Sequence, residues 1–411
     1  MTDPVIRPSN GVLLIALQSA EGVPAAPSAA TDAIPFEVDS PDYNSPYKTE
    51  DSNEVTGSFD AGAPLVVGQP ATIAFRSRLK GAGAGVTYTS LVKPPLHAAL
   101  SICGWLGQFT AGVSAAALTA GTASSGTLGT GFAATAQAYR GMPLILTGAP
   151  AAGRLPLVSD YSAAKLAKLT DLYGSALSAS NTAELPANWT YAPTSPRDSS
   201  ERASMHPCAT VWLYEDGVLH QWIDCRGMVD LDGNSARPGY GAFSLTGIYV
   251  GKSDAAVPSN PVFARQSAPL LLQGGGAAPA IQIAGKPLPI SKWSLKSNVT
   301  IESPDDPNTQ QGFAGAQLAD RSLMLEIDPL STLVATRNVL ADIAAFTQYA
   351  GGLMMPAPAG NRVSIALPLL QPVQATPAMR GKLRSETQLY RALNPGRDAA
   401  GRDGPAVLCF S

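Results

Sequence analysis

The sequence predicts a mainly β protein: two units of similar plan, each with one flanking helix, and a small α+β insert inside the first. Three observations predict it. Charged residues are only 14% of a 411-residue chain, below the usual share of roughly a quarter, while Gly (39) and Pro (35) are plentiful. Short Val/Ile/Leu/Thr-rich runs recur between turn formers, as strands joined by long loops do. The order strand, polar arm, strand, helix, strand, strand occurs twice, as an internal duplication would produce.

The first unit takes in residues 1–106 and 191–255. "GVLLIAL" (11–17) and "AIPFEVDSPDY" (33–43) read as strands, and residues 44–65 as a long polar arm. In "VVGQPATIAFRSRL" (66–79), Ile73 and Phe75 alternate with Thr72, Ala74 and Arg76, which is the two-residue period of a half-buried strand. "KGAGAG" (80–85) breaks it. In "KPPLHAALSICGW" (93–105) the prolines suit a helix entrance, Leu96, Ala99, Leu100 and Cys103 share one side, and Gly104 supplies the C-terminal stop. His97 flanks that stripe, as a rim histidine would.

Composition then changes. Residues 107–190 form the insert, opening with an Ala/Gly/Thr/Ser tract that buries little per residue. "YRGMPLILTG" (139–148) reads as a strand. "SDYSAAKLAKLTDLYG" (159–174) reads as an amphipathic helix with Leu166, Leu169 and Tyr173 on one face, capped by Asp160 or Ser162 and stopped by Gly174. The body resumes with a hairpin and the strand "YGAFSLTGIYVG" (240–251), and "SDAAVPSNPVF" (253–263) is a linker rich in turn formers.

The second unit, residues 256–411, repeats the plan. A strand (287–301), a polar arm (302–320) and a strand (321–328) precede a helix over 332–352, whose Val339, Leu340, Ile343 and Phe346 line its apolar side. Two strands, 360–372 and 380–393, close it. Each arm carries an aromatic, Phe59 or Phe313.

Chemistry is scarce. The net charge of −3 lacks the basic excess of a protein that grips nucleic-acid phosphates. Charge is nevertheless segregated: residues 31–60 hold eight acids against Lys48, and residues 371–411 hold six Lys/Arg against three acids. Such patches are either solvated faces or the two sides of a head-to-tail contact between copies. Cys103, Cys208, Cys225 and Cys409 show no paired spacing and read as free buried thiols of a reducing compartment. The opening "MTDPVIRPSN" is too polar for a signal peptide, and no apolar run is long enough for a membrane span. Gly-x-Ser-x-Gly and His-Glu-x-x-His are absent, "GAGAG" (81–85) lacks the phosphate-loop lysine, and "ESPDDP" (302–307) lacks the glycine and distant glutamate of a calcium loop. The expectation is no enzyme, no cofactor, no metal and no catalytic residue.

"LYEDGVLHQWIDCRGMVDL" (213–231) is the densest cluster of reactive groups. A two-residue turn at Asp216-Gly217 sets Leu213 opposite His220 and Tyr214 opposite Leu219. Alternation then places His220, Trp222 and Asp224 on one face, so His220 sits beside an aliphatic residue with no acid-base partner implied, and reads as a half-buried strand histidine.

The opening "GVLLIALQSAEGVPAAPSAATDAIPFEVDSPDY", the acidic arm, "GAPLVVGQPATIAFRSRLKGAG", "KPPLHAALSICGW" and the phrase from "YAPTS" to "GAFSLTGIYVG" together resemble the tail tube protein, or major tail protein, of long-tailed bacteriophages. The resemblance covers most of the chain outside the insert and includes no catalytic signature. It implies β-sandwich or half-barrel tube domains, here two in tandem. Their strands would join those of neighbours around a channel, in homotrimeric pseudo-hexameric rings stacked head to tail. It also implies a place in the virion tail after synthesis in the bacterial host cytoplasm, contacts with tail terminator and tail tip proteins, and a lumen holding tape measure protein or DNA without sequence-specific binding, with no membrane involved. The inter-ring contact is then expected to use Asp42, Tyr43, Glu50, Asp51, Glu54 and Phe59 of the first arm against Arg380, Lys382 and Arg384. The alternative is a carbohydrate-binding or adhesive β-sandwich with Trp212, Tyr214 and Trp222 as a sugar platform, although core packing is the plainer role for that trio.

Overall fold

The computed structural model describes residues 5–7, 9–52, 54–55, 57, 60, 62–263, 267–274, 279–309 and 311–411. The protein is mainly β, with several antiparallel sheets and, among the described residues, three short helices. The first half is organised by the long hairpin Val218–Asn234/Arg237–Asp254. One edge of Val218–Asn234 receives Ala209–Glu215, which pairs in turn with Gly11–Leu17, and that strand with Ala33–Ile34. The outer edge of Arg237–Asp254 receives Ala71–Arg78, followed by Asp42–Tyr43. In Ala71–Arg78 the even-numbered residues are less buried and Ile73 and Phe75 lie inside, Phe75 stacking on Phe243 with centroids 5.0 Å apart. Helix His97–Ile102 buries Ala99 and Leu100 as its stripe requires, and Gly104 follows at φ 72°.

The second half repeats these partners in the same chain order. The long hairpin is Val363–Arg380/Leu383–Ala392. Its first strand receives Tyr349–Met355, then Ile281–Ile283, then Lys286–Pro287. Its second strand receives Met324–Ile327, then Lys292–Lys296. A separate arm hairpin precedes the inner strand each time: Tyr47–Glu50/Leu65–Gly68 in one half and Val299–Glu302/Gln317–Arg321 in the other.

Two ladders join the halves. Lys292–Lys296 also pairs with Leu231 to Asn234 at the far end of the first long strand. Val407–Phe410, fully buried, lies between Asn188–Pro193 and the start of Val363–Arg380. One apolar core therefore runs from Leu13 to Phe410 through both halves.

Two expected helices are corrected. Residues 159–174 fold as strands Val158–Tyr161 and Leu166–Leu169, turned by Lys165 at φ 61°. Leu166 and Leu169 fit a helical stripe, yet Ala167 and Leu169 are the buried pair while Leu166 and Lys168 face out, a two-residue period. Helix propensity is a weak prior, and here the strand Ser125–Thr127 supplies a ladder partner. The insert is therefore strands alone rather than α+β, in a three-stranded and a four-stranded sheet around its own core. The helix expected over 332–352 is only Val339–Ala344: Asn338 accepts from Ala341 N at 3.1 Å to start it, and Phe346 at φ 53° ends it. Of its expected apolar side Val339 alone is buried, whereas Leu340 and Phe346 are exposed.

Trp293 lies fully buried in the ladder between the halves. Trp293→Ala is expected to destabilise by about 3–5 kcal/mol and to lower the unfolding transition of both halves together, as read by denaturant melts with separate probes in each half.

Candidate assembly surface

The hairpin at 213–231 forms as its sequence requires. Asp216 and Gly217 take φ 43° and 105°, and Leu213 pairs with His220 and Tyr214 with Leu219. The neighbourhood of His220 is richer than alternation implied. Its Nε2 lies 3.4 Å from Tyr43 Oη and 3.8 Å from Glu215 Oε2, and its Nδ1 lies 3.2 Å from Tyr249 Oη. Tyr43 Oη donates to Glu215 at 3.0 Å. Tyr43 comes from the root of the acidic arm and Tyr249 from the next strand, so only tertiary pairing brings them together.

Burial holds His220 below its ordinary pKa, with Glu215 opposing, and it pushes Tyr43 up to about 12 with help from Glu215. The ring is thus neutral near pH 7 and both its nitrogens face phenols. Tyr43 also packs edge-on against Trp222, centroids 5.8 Å apart. This arrangement pins the arm root. Burial raises the Cys103, Cys208 and Cys225 thiols, and all four cysteines are free and buried. Among the described residues no group of His, Cys, Asp and Glu is placed to hold a metal, and no helix is long and apolar enough to cross a membrane. Trp222 is fully buried with Val211 opposite, while Trp212 and Tyr214 face the other side of their strand, so the three rings form no common platform.

Beyond its root the arm is anchored by Asn44, which donates to Pro70 O and accepts from Thr72 N. Gly68 lies so close to the Gln311 backbone that a Cβ would collide with it, and Gln311 donates to Tyr249 O. The second arm therefore braces the base of the first. Every residue of Tyr47–Glu50 is exposed, as are Leu65 and Val66. Of the expected contact residues, Asp42 and Tyr43 sit at the anchored root, Glu50 ends the hairpin in a loose pair with Lys48, and Asp51 and Glu54 are exposed beyond it. Phe59 lies outside the described residues.

The basic group sits at the other long hairpin. Lys382 and Arg384 are exposed at its tip, whereas Arg380 is tied inward to Asp328, 3.2 Å from Oδ2. Within one chain no ion pair joins Glu50, Asp51 or Glu54 to Arg380, Lys382 or Arg384, among the described residues. Sequence reading missed the feature beside them. Beyond Leu370, strand Val363–Arg380 pairs only with Leu383–Ala392, and among the described residues its other edge is open. The corresponding edge of Val218–Asn234 is filled by Lys292–Lys296. Pro372 and Pro377 hint at an edge strand, but only the completed ladder shows that the edge is vacant. The chain matches no protein-family model, and no curated protein matches it.

All three histidines are held below the ordinary value, each chiefly by burial, and His97, with Lys93 adding, falls to about 4. A depressed folded pKa means that the unfolded chain takes the proton more readily. Stability is then complete above about 6.5 and lost as pH falls toward 4. Melting temperature should therefore drop over that window, ahead of carboxylate titration. His97→Gln, which can keep a hydrogen bond to Tyr191 Oη, should flatten part of the drop in a series of thermal melts.

Proposed function

We propose that this chain is a structural protein of a bacteriophage tail, assembling with copies of itself into rings that stack as the tail tube, a conduit for the genome. The observation that carries this is an interface filled once and left open once. Two halves with the same chain order of partners meet where Lys292–Lys296 completes the edge of Val218–Asn234. Among the described residues the matching edge, residues 371–380, has no such partner, while Asp42–Tyr43, the counterpart of Lys292–Lys296, pairs on one side only. A second copy can supply to the first what the first supplies internally. Repetition around a closed circle leaves no edge exposed.

Two tube domains per chain favour three chains per pseudo-hexameric ring. Residues 107–190, the expected decoration domain, leave the first domain between its helix and its return and pack against the second half. The exposed acidic tip of the first arm suits a stacking contact with Lys382 and Arg384 of the next ring, and a channel without basic excess lets DNA pass. Tape measure protein or DNA would occupy the lumen, and terminator and tip proteins would close the ends. The resemblance in the sequence supports the same reading, made in the host cytoplasm and used in the virion. The dispersal of Trp212, Tyr214 and Trp222 over two faces weighs against the sugar-binding alternative.

Negative-stain electron microscopy of the purified protein should show three-fold rings with a central hole or stacked tubes; dispersed single chains at high concentration would sink the proposal. Deleting residues 45–62 should leave the melting curve nearly unchanged while abolishing ring stacking. Normal tubes from that deletion would overturn the role given to the arm.

A further inference from the structure

We infer that the exposed apolar surface around helix Val339–Ala344 is the seat for the arm hairpin Tyr47–Glu50/Leu65–Gly68 of a second copy, with Val66 packed against Phe346. This rests on the self-assembly proposed above and assigns it a lateral contact that the arm's stacking role does not cover.

Leu333, Val334, Leu340 and Phe346 are 80%, 71%, 67% and 74% exposed, a density of apolar side chains that an isolated soluble surface rarely carries. The hairpin has the same property, with Leu65 at 63% and Val66 at 62%. A lone two-stranded hairpin is marginal without a surface to lie on.

The pairing of these two surfaces has a precedent inside the chain. Hairpin Val299–Glu302/Gln317–Arg321 lies against the end of helix His97–Ile102, where a Cβ on Gly104 would stand 2.9 Å from Leu318 Cδ1. Buried Arg226 reinforces that seat, donating to His206 O and to Ala316 O. The other helix end has the same geometry. Both helices have six residues, and each is followed by a cap residue and then by one at positive φ, Gly104 at 72° or Phe346 at 53°.

Leu318 is the second residue of its strand, as Val66 is of Leu65–Gly68. In the filled site a large hairpin residue meets a bare helix end; in the open one a smaller hairpin residue meets a large ring. The contact volumes are exchanged between the two sides, which volume-conserving packing tolerates.

Charge agrees. The hairpin end and its loop carry Glu50, Asp51 and Glu54 against Lys48. A cleft of about 270 Å³ beside the helix is lined by Lys286 and Arg337, with Asp342 as its one acid. Neither cation has an ion-pair partner among the described residues; Lys286 donates only to Thr336 O and Arg337 to Leu330 O. Within its own chain the hairpin rests by Gly68 on the Gln311 backbone, and Val66, two residues further along the same face, stays exposed.

The test mixes two purified full-length variants, Val66→Cys and Phe346→Cys, with a short bis-maleimide; the four native thiols are buried and serve as the silent background. A cross-linked dimer should form in the mixture about tenfold more than in either variant alone, as expected of a packed hot-spot contact. Rings in the microscope without the mixed cross-link overturn this contact and leave the ring. A cross-link without rings supports the contact and overturns the tube, and neither outcome overturns both.

Phe346→Gly provides a second readout. A left-handed position suits glycine and the ring is solvent-exposed, so the isolated chain should melt no lower, while self-association weakens by about tenfold or more. Association equal to that of the parent protein would overturn the seat.

Discussion

The structure depends on backbone groups finding partners across the seam between the halves. Strand Lys292–Lys296 holds Met324–Ile327 on one edge and the end of Val218–Asn234 on the other, so one short strand belongs to both halves. Val407–Phe410 does the same between Asn188–Pro193 and Val363 to Ala366. A buried donor left unpaired costs about 1–3 kcal/mol, so neither half can be peeled away without stranding a row of them. The shared apolar core follows from the ladders, because cross-strand neighbours such as Leu231 and Leu295 are brought face to face inside it.

The same constraint explains how the remaining edge is treated. An open strand invites pairing with any other chain, and residues 371–380 include Pro372 and Pro377, which offer no backbone donor. A proline inside this ladder must turn its missing donor away from Leu383–Ala392, toward the open side. Lys382 and Arg384 add charge at the tip, and Arg380 is held back by Asp328. Such an edge resists indiscriminate extension yet keeps its carbonyls, so a correct partner needs side-chain fit and charge as well as hydrogen bonds. Exposed apolar residues lie along this edge as well, at Val373 and Met379, and at Leu383 beyond the turn.

Much of this fold is legible in the residues, and the gaps have physical causes. Alternation in Ala71–Arg78 and Arg237–Asp254, the Asp216-Gly217 turn and the glycine after the first helix are local signals, and local geometry obeys them. The recurrence of strand, arm, strand and helix is visible as well. Residues 159–174 mislead because Leu166, Leu169 and Tyr173 satisfy a helical period by chance, while the choice is made by Ser125–Thr127, forty residues away in sequence. The second helix misleads differently: its apolar stripe is real, but Leu340 and Phe346 face outward. Periodicity reports an apolar face without saying whether the chain itself covers it. The neighbours of His220 are illegible for a third reason, since Tyr43 and Tyr249 reach it only after two separate pairings are complete.

The insert bears on the seam too. Asp171, almost wholly buried, accepts from Gln282 at 2.5 Å and lies 3.1 Å from Arg154 Nε, an ion contact outside hydrogen-bond angles, while burial raises its pKa. Gln282 belongs to Ile281–Ile283, a strand of the second half, although the insert departs from the first. On the other flank Arg140 donates to Gly396 O at 2.6 Å, and its guanidinium fills the space where Gly404 has no side chain. The insert thus touches the second half on both flanks, and between them Leu157 packs with Met354, Ala366 and Val407. A buried carboxylate with polar partners on both sides is weak evidence for stability, but removing one partner leaves an uncompensated charge, which makes the orientation specific. A segment read as mere decoration is therefore a third tie across the seam, and it helps fix the angle between the two halves.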